Sequence, residues 1–145
     1  MDVEKRLELI KRNTEEIITE DLLKELLKKK KNLVVYCGYE LSGVMHLGHL
    51  VTILKLMDLE KAGFKVKILL ADVHSLLNRK GDEKVIGREV DNWKRILKSI
   101  GINAEIALGS DFQFKREYQM DVMKLAQHST INRGLRSMQE IAREF

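Results

Sequence analysis

Two histidines, His46 and His49, follow a short apolar run and stand where a helical pattern begins, with Gly48 between them. A helix N-terminus offers free backbone N–H groups and the positive end of the helix dipole, which together favour phosphate. Imidazole N–H groups placed there can donate hydrogen bonds to phosphate oxygens whose charge grows in a transition state. Gly48 would let a nucleotide base or ribose approach the backbone closely. The pattern therefore predicts electrostatic catalysis of a phosphate reaction, with no nucleophile on the protein.

Two other roles fit the same histidines. In a structural role, one histidine caps the helix and the other packs in the core. In a metal site both would be ligands, but no carboxylate or third histidine stands at an obvious ligand spacing. Cys37 is the only cysteine, which excludes a cysteine-based zinc site. We therefore expect no protein-bound metal, and the position directly after a strand and at a helix start favours the phosphate role.

Changes in the period of the hydrophobic residues indicate which strands and helices position these histidines. Three runs rich in β-forming residues, 33–38, 66–71 and 104–108, alternate with segments of helical period. A short turn or helix follows the second run. The apolar faces of the two long connecting helices are predicted as Leu50, Ile53, Leu54 and Met57 in the first, and Ile86, Val90, Trp93, Leu97 and Ile100 in the second.

Further helices flank this alternating region. Residues 2–30 predict two short helices, and residues from 115 onward predict two more, broken near 129–130. Polar residues and glycines mark helix ends along the chain. The predicted N-caps are Thr19 and Asp82, and the predicted C-caps are Gly63 and Gly101.

The order β-α-β-α-β predicts an α/β fold with a parallel, Rossmann-like half-sheet and right-handed crossovers. Such sheets bind ligands at the carboxyl ends of their strands, so the loops after Gly38, Ala71 and Leu108 should line a site. We expect a single domain. Within it we distinguish N-terminal helices (1–32), a nucleotide-binding half (33–113) and a C-terminal helical pair (114–145).

Composition restricts the class of protein. Of 145 residues, 44% are hydrophobic and 33% charged, against about 25% charged in typical domains, which indicates a folded globular chain. The net charge of +4 permits an anionic partner without requiring one. No apolar stretch is long enough to span a membrane, and the first residues have mixed charge, unlike a signal peptide. We expect a cytoplasmic protein without a membrane partner.

Several segments in order resemble the class I aminoacyl-tRNA synthetases, specifically the tyrosyl-tRNA synthetases of the archaeal and eukaryotic type. The segment 36–49 resembles their signature, Tyr-x-Gly-x-Glu-x-Ser-Gly-x-x-His-x-Gly-His. Four other similar segments are 10–18, 69–74, 109–113 and 136–144, so the resemblance covers nearly the whole chain. It implies the Rossmann-like fold of the HUP type.

The resemblance also implies a reaction and its residues. Tyrosine would attack the α-phosphate of ATP, giving tyrosyl-adenylate and pyrophosphate, and would then be transferred to tRNA(Tyr). Mg²⁺ is expected to accompany ATP, and the C-terminal helices are expected to begin an insertion that forms a homodimer. The implied catalytic residues are His46 and His49; the ATP-binding residues Gly38, Ser42, Gly43, His46, Gly48 and His49; and the tyrosine-binding residues Tyr36, Glu40, Leu69, His74 and Gln113.

Some of these residues also have a simple structural explanation. Tyr36 fits a strand tyrosine at the sheet edge, and Leu69 fits a core position. His74 and Asp111 fit helix caps.

The chain departs from the family pattern within the signature loop. Tyr39 and Leu41 stand where the family usually has Phe and Pro. Proline fixes φ, so we expect Leu41 to make this loop less rigid. In the family, the second half of the catalytic domain, a Lys-Met-Ser-Lys-Ser-like loop and an anticodon-binding domain come later, so we expect this chain to be the amino-terminal catalytic half, as a fragment or a short homologue.

Two other functions remain open from the sequence. A small nucleotidyltransferase also uses a His-x-Gly-His helix start, but those families carry a second phosphate-binding motif near the chain end, and none is found here. A non-catalytic synthetase paralogue would bind tRNA or a protein partner. Its support is a terminal helix in which Arg133, Arg136 and Arg143 stand among apolar residues.

Overall fold

The computed structural model describes residues 1–29 and 32–135. The chain divides into two units, Met1–Gly109 and a second that begins at Ser110. The elements of the first unit are α1 (Val3–Lys11), α2 (Glu20–Lys29), β1 (Leu33–Tyr39), α3 (Leu47–Lys61), β2 (Phe64–Leu70), α4 (Asp72–Leu77), α5 (Glu83–Ile100) and β3 (Ala104–Leu108). The second unit contains α6 (Ser110–Gln113) and α7 (Arg116–Gln127). No helix in the described ranges is long and apolar enough to cross a membrane.

The first unit contains a parallel sheet in the order β1-β2-β3. Tyr39 pairs with Leu70 at the carboxyl end of β1, and Leu70 pairs with Leu108 of β3. This topology confirms the predicted β-α-β-α-β order. Because neighbouring parallel strands are joined by right-handed crossovers, α3 and α5 lie on the same face of the sheet.

That face carries the main core. Side chains alternate along a strand, so every second residue of β2 points towards α3 and α5. Each large apolar side chain buried here contributes about 1.5–3 kcal/mol, so the cluster holds both crossover helices to the sheet. The cluster comprises Tyr39, Leu41, Ile53, Leu56, Val66, Ile68, Leu70, Ile86, Val90, Trp93, Leu97 and Ile102.

The opposite face of the sheet is accessible. Val34 and Tyr36 of β1 are exposed, Tyr36 at 71%, and Lys65 and Lys67 of β2 are exposed beside them. Parallel sheets usually carry helices on both faces. Here the strand residues that point away from α3 and α5 are exposed or partly exposed.

Arginines join α1 to the helices around it. Arg6 donates from Nε to the carbonyl of Ala62 at 2.7 Å and from Nη1 to that of Leu27 at 3.4 Å, so it binds the C-terminal ends of α3 and α2. Arg12 forms a two-point pair with the buried carboxylate of Asp58 on α3. The hydrogen bond and the charge of Asp58 raise the pKa of Arg12. These contacts place α1 and the following Arg12 against α3.

Three of the predicted capping residues stand at helix ends. Asp82 accepts a hydrogen bond of 2.8 Å from the third residue of α5, and Gly101 is the C-cap of α5, with φ of +85°. Gly63 stands one residue after Ala62, the C-cap of α3, and has φ of +91°. Thr19 directly precedes α2, and its carbonyl accepts from the N–H of Leu23 at 3.1 Å, but its side chain does not cap the helix as predicted. An N-cap normally has extended backbone, which lets its side chain reach a helix amide. Thr19 has φ of +63°, and its hydroxyl donates to the preceding carbonyl.

The buried face of α3 differs in part from the prediction. Ile53 is fully buried, as expected, but Leu54 is 51% exposed and Leu56 is buried instead. α3 carries apolar residues around most of its circumference, so hydrophobic period alone could not select the inward face. In α5, where charged residues mark the outer face, the predicted buried positions Val90 and Trp93 are confirmed.

The second unit is helical. Phe112 of α6 contacts Tyr118 of α7 edge to face, with ring centroids 5.6 Å apart. Residues 131–135 are also helical, so the predicted break near 129–130 is present. The segment 136–144, with Arg136 and Arg143, lies outside the described residues. Exposed apolar side chains on α7 are Tyr118, Met120, Val122, Met123 and Leu125.

Candidate active site

The loops after the strands of the first unit meet at one edge of the sheet. The carbonyl of Tyr39 accepts from the N–H of Ala71 at 2.9 Å, and that of Leu70 accepts from Gly109 at 3.2 Å. The segment 40–46 leaves the sheet at this edge and leads into α3. The signature-like residues therefore lie where Rossmann-like sheets bind their ligands.

The two histidines form a reciprocal cap at the start of α3. The Nδ1 of His46 accepts from the N–H of Gly48 at 3.1 Å, and the N–H of His46 donates to the Nδ1 of His49 at 3.2 Å. This is the geometry of a capping box, with histidine in both roles. The structural role considered from the sequence is thus present: His46 caps the helix, and His49 is half-buried.

The cap determines which ring nitrogens can serve a ligand. In a neutral imidazole one nitrogen donates and the other accepts. Both Nδ1 atoms accept backbone N–H groups, so the hydrogen-bond network assigns the proton of each ring to Nε2. The two rings are in contact, with centroids 3.9 Å apart and planes tilted by 37°. Capping therefore uses the Nδ1 atoms. Phosphate binding would use the Nε2–H groups, so the cap does not exclude that role.

An aromatic cluster supports His49 from within the core. His49 contacts Trp93 of α5 edge to face, with centroids 4.9 Å apart, and Tyr39 at 6.1 Å. Burial disfavours the charged imidazolium, and His46 adds a smaller repulsion, so the pKa of His49 is lowered from its usual value. Around neutral pH, His49 is held as the uncharged Nε2–H tautomer.

Tyr39 is also fixed at the base of this cluster. Its hydroxyl lies 2.7 Å from the Oγ1 of Thr52, which itself donates to the carbonyl of His49 at 2.9 Å. Because the hydroxyl hydrogen of Thr52 is donated to the carbonyl of His49, the hydroxyl of Tyr39 is the donor in its hydrogen bond with Thr52. Desolvation raises the pKa of Tyr39 to about 12. The phenol therefore remains a neutral donor, and it makes a contact that a phenylalanine at this position would lack.

Gly48 accommodates a neighbouring side chain. A Cβ atom added at Gly48 would lie 3.0 Å from Cε1 and 3.1 Å from Nδ1 of His46. The sequence suggested that this glycine makes room for a nucleotide. In the structure its missing side chain first makes room for the capping ring of His46.

The loop between β1 and α3 is anchored at two points. Leu41 is buried, and its N–H donates to the Oγ of Ser75 at 2.8 Å. The carbonyl of Gly43 accepts from the indole Nε1 of Trp93 at 3.3 Å. The lower rigidity expected of a loop without proline stays a prediction. At Leu41 a buried side chain and a hydrogen bond that proline cannot form hold the backbone.

Glu40 and His74 are brought together by a residue that the sequence analysis did not select. Asn78 donates from Nδ2 to the Oε1 of Glu40 at 2.8 Å and to the Nε2 of His74 at 2.9 Å. His74 must accept here, so its proton is assigned to Nδ1. His74 lies inside α4 and does not begin it. The spacing of four residues between His74 and Asn78 places them on one helix face and was the available signal.

Strand residues form a floor on the accessible face of the sheet. Tyr36 and Gly38 alternate on β1 with its buried residues, and Leu69 lies beside Gly38 in register. Ala107 of β3 pairs with Leu69 and continues the same row. Leu69 is partly exposed and points away from the main core. The row Gly38-Leu69-Ala107 therefore places a large side chain between two small residues. It lies two residues closer to the carboxyl ends of the strands than Tyr36.

The remaining residues predicted from the sequence lie in the loop before α3 and in α6. Ser42 is exposed in the loop before α3. Gln113 ends α6 in the second unit, where its carbonyl accepts from Gln119 at 2.7 Å. Asp111 lies within α6. Sequence reasoning missed Ser75, Trp93 and Ala107 as neighbours of the site, because each reaches it from a distant part of the chain.

No group of three or more His, Cys, Asp or Glu in the described ranges could hold a metal ion. The groups at the sheet edge are imidazoles, one carboxylate, an amide and backbone N–H groups. Such a set can bind and polarise a phosphate ester through hydrogen bonds.

Comparison with known proteins gives one consistent result. The family of class I tRNA synthetases (W and Y) matches residues 28–143. The tyrosine-tRNA ligase of Archaeoglobus fulgidus is 44% identical over 146 residues, which cover 99% of this chain and 45% of the relative. That of Methanosarcina barkeri is 49% identical over 141 residues, covering 95% of this chain and 44% of the relative. The chain spans less than half the length of these curated relatives.

A solved structure gives the same picture. The tyrosyl-tRNA synthetase of Archaeoglobus fulgidus, in complex with L-tyrosine, superposes with a TM-score of 0.87 at 44% identity. The superposition covers 97% of this chain and 45% of that one. The fold and the order of the segments are therefore similar over almost the entire chain.

Proposed function

Because the chain belongs to the family of class I tRNA synthetases (W and Y), we propose that it forms the amino-terminal, ATP-binding half of the catalytic domain of an archaeal-type tyrosine-tRNA ligase. Its reaction would join a carboxylate oxygen of tyrosine to the α-phosphorus of ATP, and pyrophosphate would leave with the electrons of the broken P–O bond. Tyrosine would then pass from the adenylate to tRNA(Tyr). Similarity to tyrosine-tRNA ligases over nearly the whole chain favours this function over a small nucleotidyltransferase.

The observation that carries the proposal is that only one nitrogen of each imidazole, Nδ1, takes part in the helix cap. The Nδ1 atoms of His46 and His49 hold the helix cap, which fixes both rings. The Nε2–H groups remain as fixed donors for phosphate oxygens. Donors placed in advance stabilise growing negative charge without reorganising, and one such donor contributes about 10²–10³-fold in rate. Gly38, Ser42, Gly43 and Gly48 would border the nucleotide, and Mg²⁺ would arrive with the ATP phosphates.

The floor of the sheet is the proposed place of the tyrosine substrate. Gly38 and Ala107 leave space on either side of Leu69, and Tyr36 stands one row away with its hydroxyl accessible. Glu40, held by Asn78, offers a fixed acceptor at the border between amino acid and adenylate. His74 and Gln113 complete the proposed set of tyrosine-binding residues.

The test uses variants that preserve the cap and remove the imidazoles. In His46→Asn, asparagine can still accept from the helix amide as an N-cap. In His49→Gln, glutamine can still accept from the N-cap N–H as in an ordinary capping box. We expect the chain to bind ATP in calorimetry at millimolar concentration. We expect each variant to weaken binding about tenfold, since charge-assisted donors to phosphate are lost.

The control is His128→Gln, which changes a histidine at the end of α7, in the second unit. It should leave ATP affinity unchanged. The proposal is wrong if the wild-type chain binds no ATP, or if the double variant binds it as well as the wild type. Exchange of labelled pyrophosphate into ATP then identifies the co-substrate. Stimulation by tyrosine supports the ligase, stimulation by phosphopantetheine or by glycerol phosphate with CTP supports a nucleotidyltransferase, and ATP binding without exchange supports a non-catalytic role.

We also propose tRNA(Tyr) as a partner, the cytoplasm as the location and a homodimer through the C-terminal helices. The support for the dimer is the exposed apolar surface of α7, with Met123 near its middle. Sedimentation should show a dimer that Met123→Glu dissociates, and a monomeric wild type would contradict the dimer. A gel shift with tRNA(Tyr) that weakens as salt is raised would support the nucleic-acid partner, and no shift at low salt would contradict it.

A further inference from the structure

Trp93 lies in the middle of α5 and contacts the signature-like segment 36–49 at three separate residues. It is the only tryptophan of the chain, and its side chain is completely buried. Its ring packs against Tyr39 at the end of β1, with centroids 5.1 Å apart, and against His49 in the first turn of α3, at 4.9 Å. Its Nε1 donates to the carbonyl of Gly43, between the other two points.

The hydrogen bond explains why an indole suits this position. A buried indole N–H needs an acceptor, and here the loop itself provides one. Gly43 has φ of +150°, in the region that glycine adopts far more readily than other residues. Trp93 therefore fixes the turn at the point where the backbone is intrinsically most free.

The ring contact has a second effect, on His49. Trp93 covers one side of the imidazole and limits its rotation, and the burial it contributes is part of what lowers the pKa of His49. The Nδ1 of His49 must stay aimed at the N–H of His46 for the cap to persist. If the ring could rotate freely, its Nδ1 would no longer point at the N–H of His46, and its Nε2–H would no longer have a fixed direction.

We propose that Trp93 is a positioning residue for the histidine pair: through its indole, α5 sets the turn at Gly43 and the plane of the His49 ring before any nucleotide binds. Only the consequence for ATP rests on the proposed function. The positioning is a property of the free chain.

The first experiment measures amide hydrogen exchange at His46 and Gly48, because these two N–H groups donate to the histidine rings. Since Trp93 is the only tryptophan, biosynthetic replacement with benzothienylalanine changes this one residue and substitutes sulfur for the N–H at nearly equal volume. We expect exchange at both amides to become about fivefold faster, the change that corresponds to one hydrogen bond. Trp93→Phe, which also shrinks the ring, should have a larger effect.

A control separates positioning from general loosening of the core. Ile86 is buried on the same face of α5, two turns before Trp93. Ile86→Val should leave exchange at His46 and Gly48 unchanged relative to the rest of α3. The proposal is overturned if both Trp93 replacements leave these amides as protected as in the wild type, or if Ile86→Val accelerates their exchange equally.

Two further measurements connect Trp93 to the chemistry of the site. Nitrogen chemical shifts of the His49 ring should show the Nε2–H tautomer in the wild type and a mixture of tautomers in Trp93→Phe. An unchanged single tautomer would count against positioning. ATP affinity should fall about fivefold in the benzothienylalanine protein. If the wild type binds no ATP while exchange and tautomer respond as expected, the proposed function fails and the positioning role stands.

Discussion

The backbone N–H of Leu41 donates to the Oγ of Ser75 at 2.8 Å, and both side chains are almost completely buried. The same hydroxyl donates to the carbonyl of Ala71 at 2.8 Å, so Ser75 joins the signature loop to α4. Proline, the usual residue of the family at this position, has a fixed φ and no N–H. In this chain a hydrogen bond from Leu41 restrains the loop, whereas a proline at this position would restrain it through the fixed φ of its ring.

Replacing Ser75 by alanine should destabilise the fold by about 1–3 kcal/mol, because the buried N–H of Leu41 would lose its acceptor. Chemical denaturation measures this free energy. The control is Ser99→Ala, because Ser99 also bonds the carbonyl four residues earlier, at 2.9 Å, but is exposed. Its cost should stay within about 0.5 kcal/mol. Equal costs for the two variants would show that the link to Leu41 contributes nothing.

The same pair can be tested with a double-mutant cycle. In the Leu41→Pro background the loop no longer has an N–H to donate, so Ser75→Ala should cost at least about 1 kcal/mol less than in the wild type. Four denaturation curves measure this coupling energy. Additive effects of the two substitutions would contradict the relationship between Leu41 and Ser75.

Gly48→Ala should weaken ATP binding, because a Cβ at this position lies 3.0 Å from the capping ring of His46 and would displace it. Gly87→Ala is the matched control. Gly87 lies in α5, and a Cβ there meets nothing within 4 Å. Alanine at Gly87 should stabilise the protein by about 0.5–1 kcal/mol and leave ATP binding unchanged. If Gly48→Ala is equally stabilising and binds ATP normally, the close fit of His46 against Gly48 has no functional consequence.

The stability of the protein should depend on pH through His49. In the unfolded chain this histidine takes up a proton around its usual pKa of 6.5, whereas in the folded protein it does so only at lower pH. Its contribution is therefore complete above pH 6.5 and is lost as pH falls from 6.5 towards the lower folded pKa. Unfolding free energies between about pH 5 and about pH 7.5 should fall less steeply with acid in His49→Gln. Identical profiles would mean that the folded pKa is not lowered.

Local chemistry in the sequence determined much of this protein. The alternation of β-rich and helical runs predicted the parallel sheet, and the caps Asp82, Gly63 and Gly101 marked helix ends, because both signals depend on residues within a few positions of each other. The same locality placed His46 and His49 at a helix start. It failed where local signals were ambiguous, as on the mostly apolar surface of α3, where Leu54 was expected inside and Leu56 is buried instead.

Only the tertiary structure decided how the histidines are held. Trp93 reaches Gly43 across fifty positions of sequence, and Ser75 reaches Leu41 across thirty-four. Which ring nitrogen carries the proton also followed from observed partners and not from residue type. Such contacts form because packing of α5 against the sheet and of α4 against α5 brings distant groups into reach. A buried donor must then find an acceptor among the groups that this packing brings near. The sequence thus determined that two histidines stand at the start of a helix after a strand, and the packed core determined the orientation of their rings.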